Sequence, residues 1–198
     1  MGTGWNGPAW TTPLYDAHHR CVGIHRRYEN GKKLLLGGSK KGLIYSPALL
    51  KDAKQIFVVE GASDTAALLT MGLAVIGRVD VYAVEYIPEL LRNYPQAEII
   101  LIGERDQKPN GRWPGRDEAL KALKKIVNEL GRRAFFTLPP GEFKDSRQFL
   151  NIKDRWLQNP KAAGQEFIEG LAATLEAVEP ETAPREAEIV SWDATPRP

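Results

Sequence analysis

Long hydrophobic runs are missing from this sequence. The apolar stretches are short, such as Ile56–Val59 and Ile99–Ile102, against the roughly 20 residues that span a bilayer. No membrane partner is expected. Nor does the start, Met1-Gly2-Thr3-Gly4-Trp5, show a basic stretch followed by an apolar one, so no signal peptide is read there. There is one cysteine, Cys21, which excludes an internal disulfide and any cysteine-cluster zinc site. A reducing cytoplasm is the compartment this usage suggests. Histidine is scarce too: His18, His19 and His25 sit together with no further His or Cys at ligand spacing, which argues against zinc. What remains is the composition of a soluble globular chain: 198 residues, 42% hydrophobic and 26% charged.

Net charge is only +2, but it is unevenly placed. Residues 1–54 carry the bases Arg20, Arg26, Arg27, Lys32, Lys33, Lys40, Lys41, Lys51 and Lys54 against the acids Asp16, Glu29 and Asp52. The end of the chain is rich in glutamate and proline and is expected to be disordered. The N-terminal third could attract phosphate, or could be a solvated basic face. The loop Gly37-Gly38-Ser39-Lys40-Lys41-Gly42 lacks P-loop spacing. As a basic loop, together with Arg26, Lys32 and Lys33, it could still contact nucleic-acid phosphate.

Local patterns divide the chain. The first 13 residues read as a poorly regular lead-in or the cut edge of something larger. Cys21–Tyr28 and Lys32–Leu36 flank an Asn30-Gly31 step, a hairpin signal. From Lys54 the pattern alternates between strands and helices. Gln55–Val59, Glu98–Ile102 and Ala134–Thr137 read as buried strands, with Ala74–Ile76 and Val79–Val84 weaker. Ser63-Asp64-Thr65 can cap a helix running to Met71, Pro88–Tyr94 can form a short helix, and Arg116–Leu130 has clear helical spacing. Helical segments are expected from Ser146 to Val178. This order predicts an α/β fold with a mostly parallel sheet flanked by helices. The expected divisions are a β-rich basic segment over 1–53, an α/β domain over 54–151, a helical segment over 152–178 and a disordered tail over 179–198.

In such sheets, functional groups collect beyond the carboxyl ends of the strands. Acids stand at those places. Glu60 follows the first strand, Glu104 and Asp106 the second, and Asp145 comes after the Pro-Pro-Gly turn that ends the third. Clustered carboxylates suit a hard cation such as Mg²⁺. They could equally cap the following helices or pair with Arg105, Arg116 and Lys144. Trp5, Trp10 and Trp113 could stack on bases, Trp113 the best placed because its loop lies beside the acids, although packing explains them better, and Cys21 reads as a small buried or half-buried residue.

The order of these segments resembles a known family. Val58-Val-Glu-Gly-Ala-Ser-Asp-Thr65 is similar to the first motif of the Toprim domain of bacterial-type primases, topoisomerases and some nucleases. Ile99-Ile-Leu-Ile-Gly-Glu-Arg-Asp106 is similar to its acidic second motif. Pro114-Gly-Arg-Asp-Glu-Ala119 and Gly141-Glu-Phe-Lys-Asp-Ser-Arg-Gln-Phe-Leu150 resemble later segments of primase-type Toprim domains. Val22–Tyr28 and Leu36–Leu43 resemble the stretch preceding Toprim in phage and plasmid primases. The resemblance covers about residues 14–151. It implies a Toprim-like fold with Glu60 as general acid/base or a metal-site carboxylate, Glu104 and Asp106 holding Mg²⁺ with Asp145 as a further acidic contributor, and Mn²⁺ as a substitute. It further implies nucleotidyl transfer in DNA replication, with a DNA template, nucleoside triphosphates and a replicative helicase or other replication protein as partners. A Toprim nuclease and a non-catalytic DNA-binding accessory module are the alternatives. One departure stands out: the family's second motif usually begins with Asp, and here that residue is Glu104. Gln107–Trp113 looks like an insertion.

Overall fold

The computed structural model describes residues 3–5, 7–79, 84–152 and 158–181. Its centre is a parallel sheet of four strands: β6 (Gln55–Glu60), β7 (Val75–Arg78), β8 (Glu98–Ile102) and β9 (Ala134–Thr137). Alternate residues of these strands face opposite layers. Ile56, Val58, Ile99 and Leu101 face one core, while Phe57, Val59, Ile100 and Ile102 face the other. Both faces are apolar because both are covered, which is why the strands read as unbroken hydrophobic runs. The first core is closed by α3 (Tyr86–Leu91) and α4 (Pro114–Leu130). The second is closed by α2 (Ala62–Thr70), α5 (Ser146–Asn151) and α6 (Pro160–Leu171).

The strand order through this centre is β9-β8-β6-β7. The chain leaves β6 toward β7 on one side and returns as β8 on the other. A crevice therefore opens beyond the carboxyl ends of β6 and β8, the place where such sheets bind ligands.

The basic N-terminal segment continues the same sheet. β5 (Leu43–Tyr45) pairs antiparallel with β7, and β2 (Ala9–Tyr15) pairs with β5 at Tyr15. β2 is flanked by β1 (Gly4–Trp5) and by β3 (Cys21–Tyr28), which pairs with β4 (Lys33–Leu35) across the Asn30-Gly31 turn. Gly31 has φ 82°, a conformation that glycine adopts without strain. α1 (Pro47–Leu50) links β5 to β6.

Several expectations are corrected. The lead-in is not irregular: residues 9–15 are the full-length strand β2, recruited by β3 through a seven-residue register. Ser63, Asp64 and Thr65 do not precede α2 but lie inside it. The N-cap is Gly61 at φ 83°, and the Thr65 hydroxyl donates to the Gly61 carbonyl (2.7 Å). The helical reading of 152–178 fails at its end. α6 stops at Leu171, a 3₁₀ turn covers Ala172–Thr174, and β10 (Glu176–Val178) pairs antiparallel with β9. Pairing satisfies backbone groups that the edge of β9 would otherwise leave open. Cys21 is exposed rather than buried. Most of the weaker strand over Val79–Val84, and the tail from residue 182, lie outside the described residues. Among the described residues, no helix is long and apolar enough to cross a membrane.

Candidate functional site

The crevice beyond β6 and β8 is lined by Glu60, Asp64, Glu104 and Asp145, with Val59, Ile102, Gly103 and Ser146 as its floor and sides. Each acid arrives by a different route. Glu60 is the last residue of β6, and Asp64 sits one turn into the helix that follows. Glu104 stands just past β8. Asp145 is the N-cap of α5, which packs beside α2 in the second core.

The two inner acids are deeply held. Asp64 is 7% exposed and Asp145 5%. The backbone N–H of Arg147 donates to Asp64 Oδ1 (3.0 Å), and the N–H of Gln148 to Asp145 Oδ1 (2.7 Å). The Arg147 guanidinium pairs with Asp145 Oδ2 at 3.2 Å. Burial and the nearby charges of Asp145 and Glu104 push the Asp64 carboxyl up to about 6. Burial is the larger cause, the like charges add to it, and Arg147 pulls the other way.

The two outer acids are half exposed. Glu60 pairs with Arg78 (3.6 Å), which lies fully buried at the end of β7, and Glu104 pairs with Lys144 (3.7 Å). Burial raises the Glu60 carboxyl above its ordinary range. Arg78 and Lys33 pull it back, and Glu104 and Glu118 push it further up. Asp106 is directed elsewhere: its Oδ1 accepts the Gly115 N–H at the start of α4 (3.1 Å), with Lys108 4.0 Å from its Oδ2. The two loops that carry the acids are tied together. Arg105 N–H donates to the Lys144 carbonyl (2.9 Å), and its guanidinium to the Pro139 carbonyl.

The donor set is all oxygen, which is the chemistry of Mg²⁺. Among the described residues, no three acidic, His or Cys side chains stand together as a ready metal cage. Mg²⁺ seldom needs one. It is usually held by one or two carboxylates, with waters and substrate phosphates completing the octahedron. Glu60 and Glu104 at the mouth, backed by the charge of Asp64 and Asp145, fit that mode. Asp106, tied to the start of α4 through Oδ1, is not among the residues that line the crevice.

Of the predicted phosphate contacts, Lys33 is near enough to act electrostatically on Glu60 and on His25. Arg26 lies over the Tyr28 ring (5.7 Å) on the opposite face of β3 from its neighbour Arg27. Lys32 follows the hairpin turn. Lys40 and Lys41 are exposed in a loop fastened to β3, where Lys40 N–H donates to the Val22 carbonyl and Ser39 Oγ accepts from Ile24 N–H. A Cβ on Gly23 would collide with the Lys40 carbonyl, so this fastening requires glycine. The histidines are occupied otherwise: His18 pairs with Glu89 (3.0 Å), and His19 bonds the Tyr45 hydroxyl (2.7 Å).

Sequence reasoning missed four residues of the site. Asp64 reads as a helix cap, although its place four residues after Glu60, across a strand end and one helical turn, is a usable signal. Arg78 pairs with an acid distant in the chain, which no local pattern announces, and Arg147 pairs with its near neighbour Asp145 while its backbone N–H reaches the distant Asp64. Arg27, which reaches Ser63 Oγ at the start of α2 (3.4 Å), brings the β2–β3–β4 arm to the crevice.

No family model and no curated protein matches the sequence. Solved structures do match the fold. A DNA primase domain from Pseudomonas aeruginosa superposes with a TM-score of 0.62 at 19% identity, over 88% of this chain and 57% of that one. The DnaG primase catalytic domain bound to single-stranded DNA gives 0.57 at 19% identity, over 84% and 57%. The primase fragment of the bacteriophage T7 primase-helicase protein gives 0.51 at 16%, over 83% and 64%. The chain spans little more than half the length of the DnaG-type structures it matches. The fold is therefore the Toprim-containing fold of primase catalytic cores.

Proposed function

We propose that this chain is a primase-type Toprim protein that carries out Mg²⁺-dependent nucleotidyl transfer on nucleic acid in DNA replication. One observation carries the reading. Four carboxylates from three distant segments of the chain line one crevice at the switch point of a sheet with the primase-core fold. Bound Mg²⁺ would neutralise and orient the triphosphate of an incoming nucleotide. Glu104 is the residue to hold it, with Asp64 and Asp145 deepening the negative potential behind it. A 3′-hydroxyl attacks the α-phosphate, and pyrophosphate leaves. Glu60, raised above the usual carboxylate range, receives the hydroxyl proton. Most of the work is positioning and charge neutralisation. A DNA template and nucleoside triphosphates are the substrates, and a helicase or other replication protein is the partner.

A second reading has its own support. Asp106 and Asp145 both cap helices, as they would in a non-catalytic accessory module. Labelled-nucleotide incorporation on single-stranded DNA with Mg²⁺ or Mn²⁺ separates the two. Wild type is compared with Glu60→Ala and Glu104→Ala, and the template is checked for cleavage. Synthesis that both substitutions abolish supports the proposal. Carboxylate-dependent cleavage without synthesis replaces it with a nuclease. Neither activity, in folded protein, leaves the accessory module.

A further inference from the structure

Four strands of the N-terminal arm place four side chains in one row. Trp5 on β1 lies opposite Trp10 on β2, Trp10 opposite Arg27 on β3, and Arg27 opposite Lys33 on β4. Residues directly opposite one another across antiparallel strands share a face. With strands about 4.8 Å apart, the row is about 14 Å long. Its basic end abuts the acid crevice, where Arg27 reaches Ser63 Oγ and the Lys33 charge acts on Glu60.

The tryptophan end stands out among the described residues. Trp5 and Trp10 are 47% and 57% exposed and meet edge to face with centroids 5.1 Å apart. They touch each other but do not enter either core. Trp113, by contrast, packs against the first core. Two adjacent indoles in water, continued on the same face by a guanidinium and an ammonium, form an arrangement that nucleic-acid bases and phosphates match. Every base offers a π-face for stacking, and the cations track the backbone. A duplex hides its base faces.

We infer that the Trp5–Trp10–Arg27–Lys33 row is a stacking platform for single-stranded nucleic acid, leading the strand toward the Glu60–Glu104 crevice. The inference rests on the reading under Proposed function for what happens at the crevice, but not for the binding itself. Trp10 and Trp5 stack on bases. Arg27 and Lys33 hold the phosphates next to the acids.

The test is the affinity of the full chain for fluorescein-labelled oligo(dT), measured by anisotropy across a salt series, for wild type, Trp10→Ala, Trp10→Phe and Arg27→Ala/Lys33→Ala. The expected loss for Trp10→Ala is about 10-fold or more with an unchanged salt slope, because stacking is not ionic. Trp10→Phe retains most of the affinity. The double basic variant flattens the salt slope by about 1.4, two phosphate contacts on a single strand. Melting curves establish that each variant is folded. Equal affinity in Trp10→Ala and wild type overturns the platform. So does a Trp10→Ala effect confined to self-association in sedimentation, which would make the row a protein-docking face. Synthesis by wild type alongside unaltered oligo(dT) affinity in Trp10→Ala refutes the platform and leaves the proposed function. Trp10-dependent binding without synthesis does the reverse.

Discussion

Asp64 offers the most direct check on the electrostatics of the crevice. Its carboxyl has a pKa of 3.8 in an unperturbed chain and about 6 in the fold. The charged form is thus disfavoured in the native state by about 3 kcal/mol. The sign follows from proton binding. Between pH 4 and 6 the folded chain holds a proton on Asp64 that the unfolded chain has released, so stability falls as pH rises through this window. Above pH 6 the full penalty applies, and below pH 4 none does. Asp64→Asn keeps an acceptor for the Arg147 N–H and removes the charge that Asp145 and Glu104 repel. At pH 7 in EDTA the variant is therefore expected to be up to about 3 kcal/mol more stable than wild type. For a chain of this size that is a rise of roughly 6–12 °C in melting temperature. The advantage should disappear at pH 4. Urea unfolding at both pH values gives the difference directly. A variant that is no more stable at pH 7 than at pH 4, relative to wild type, would refute the claim that burial and like charge penalise the Asp64 carboxylate here.

Two further outcomes follow from packing and pairing. At Gly77 on β7 an added Cβ would fall on Thr65 Oγ1 and lie 2.9 Å from Thr65 Cβ, so Gly77→Ala should push α2 off the sheet and cost about 1–3 kcal/mol in urea unfolding; an unaffected midpoint would mean that α2 is not seated where described. Arg78→Met removes the buried partner of Glu60, so the Glu60 carboxyl should titrate at higher pH than in wild type when followed by carbon-13 NMR, and an unchanged titration would show that Arg78 does not govern it.

The buried centre of the fold is legible because its strands are short apolar runs bounded by glycine and its long helix has regular spacing. Gln55–Glu60, Glu98–Ile102 and Ala134–Thr137 are read nearly to the residue. What escapes reading is set by partners distant in sequence. β2 contains Pro13 and the adjacent pair Thr11-Thr12, with no regular alternation, and its pairing with β3 makes it a strand. Glu176–Val178 could continue a helix by propensity, but the open edge of β9 takes it as a strand. The site divides the same way. Glu60 and Glu104 stand at strand ends, where topology makes any acid a candidate. Asp64 looks like a cap in one dimension, and Arg78 and Arg147 look like surface bases until folding buries one and seats the other between two aspartates.

The four acids also differ in what their removal would report, and the difference can be worked out from their partners. Asp145 is an N-cap with an Arg147 pair and is nearly fully buried. Replacing a capping aspartate by alanine costs about 0.5–2 kcal/mol, and Arg147 loses its counter-charge as well. Some relief comes from the repulsion that Asp145 exerts on Asp64, so the net cost of Asp145→Ala should lie near 1 kcal/mol, an order-of-magnitude figure. Glu104 caps nothing. Its pair with Lys144 is 3.7 Å long, and both side chains are at least a third exposed, a pairing of little worth to stability. Glu104→Ala should therefore leave the urea midpoint near that of wild type while abolishing nucleotide incorporation. An Asp145→Ala variant that loses incorporation speaks to the architecture of α5 as much as to chemistry. If Glu104→Ala instead destabilises the fold as much as Asp145→Ala does, the division between outer carboxylates that face substrate and inner ones that hold helices in place is wrong.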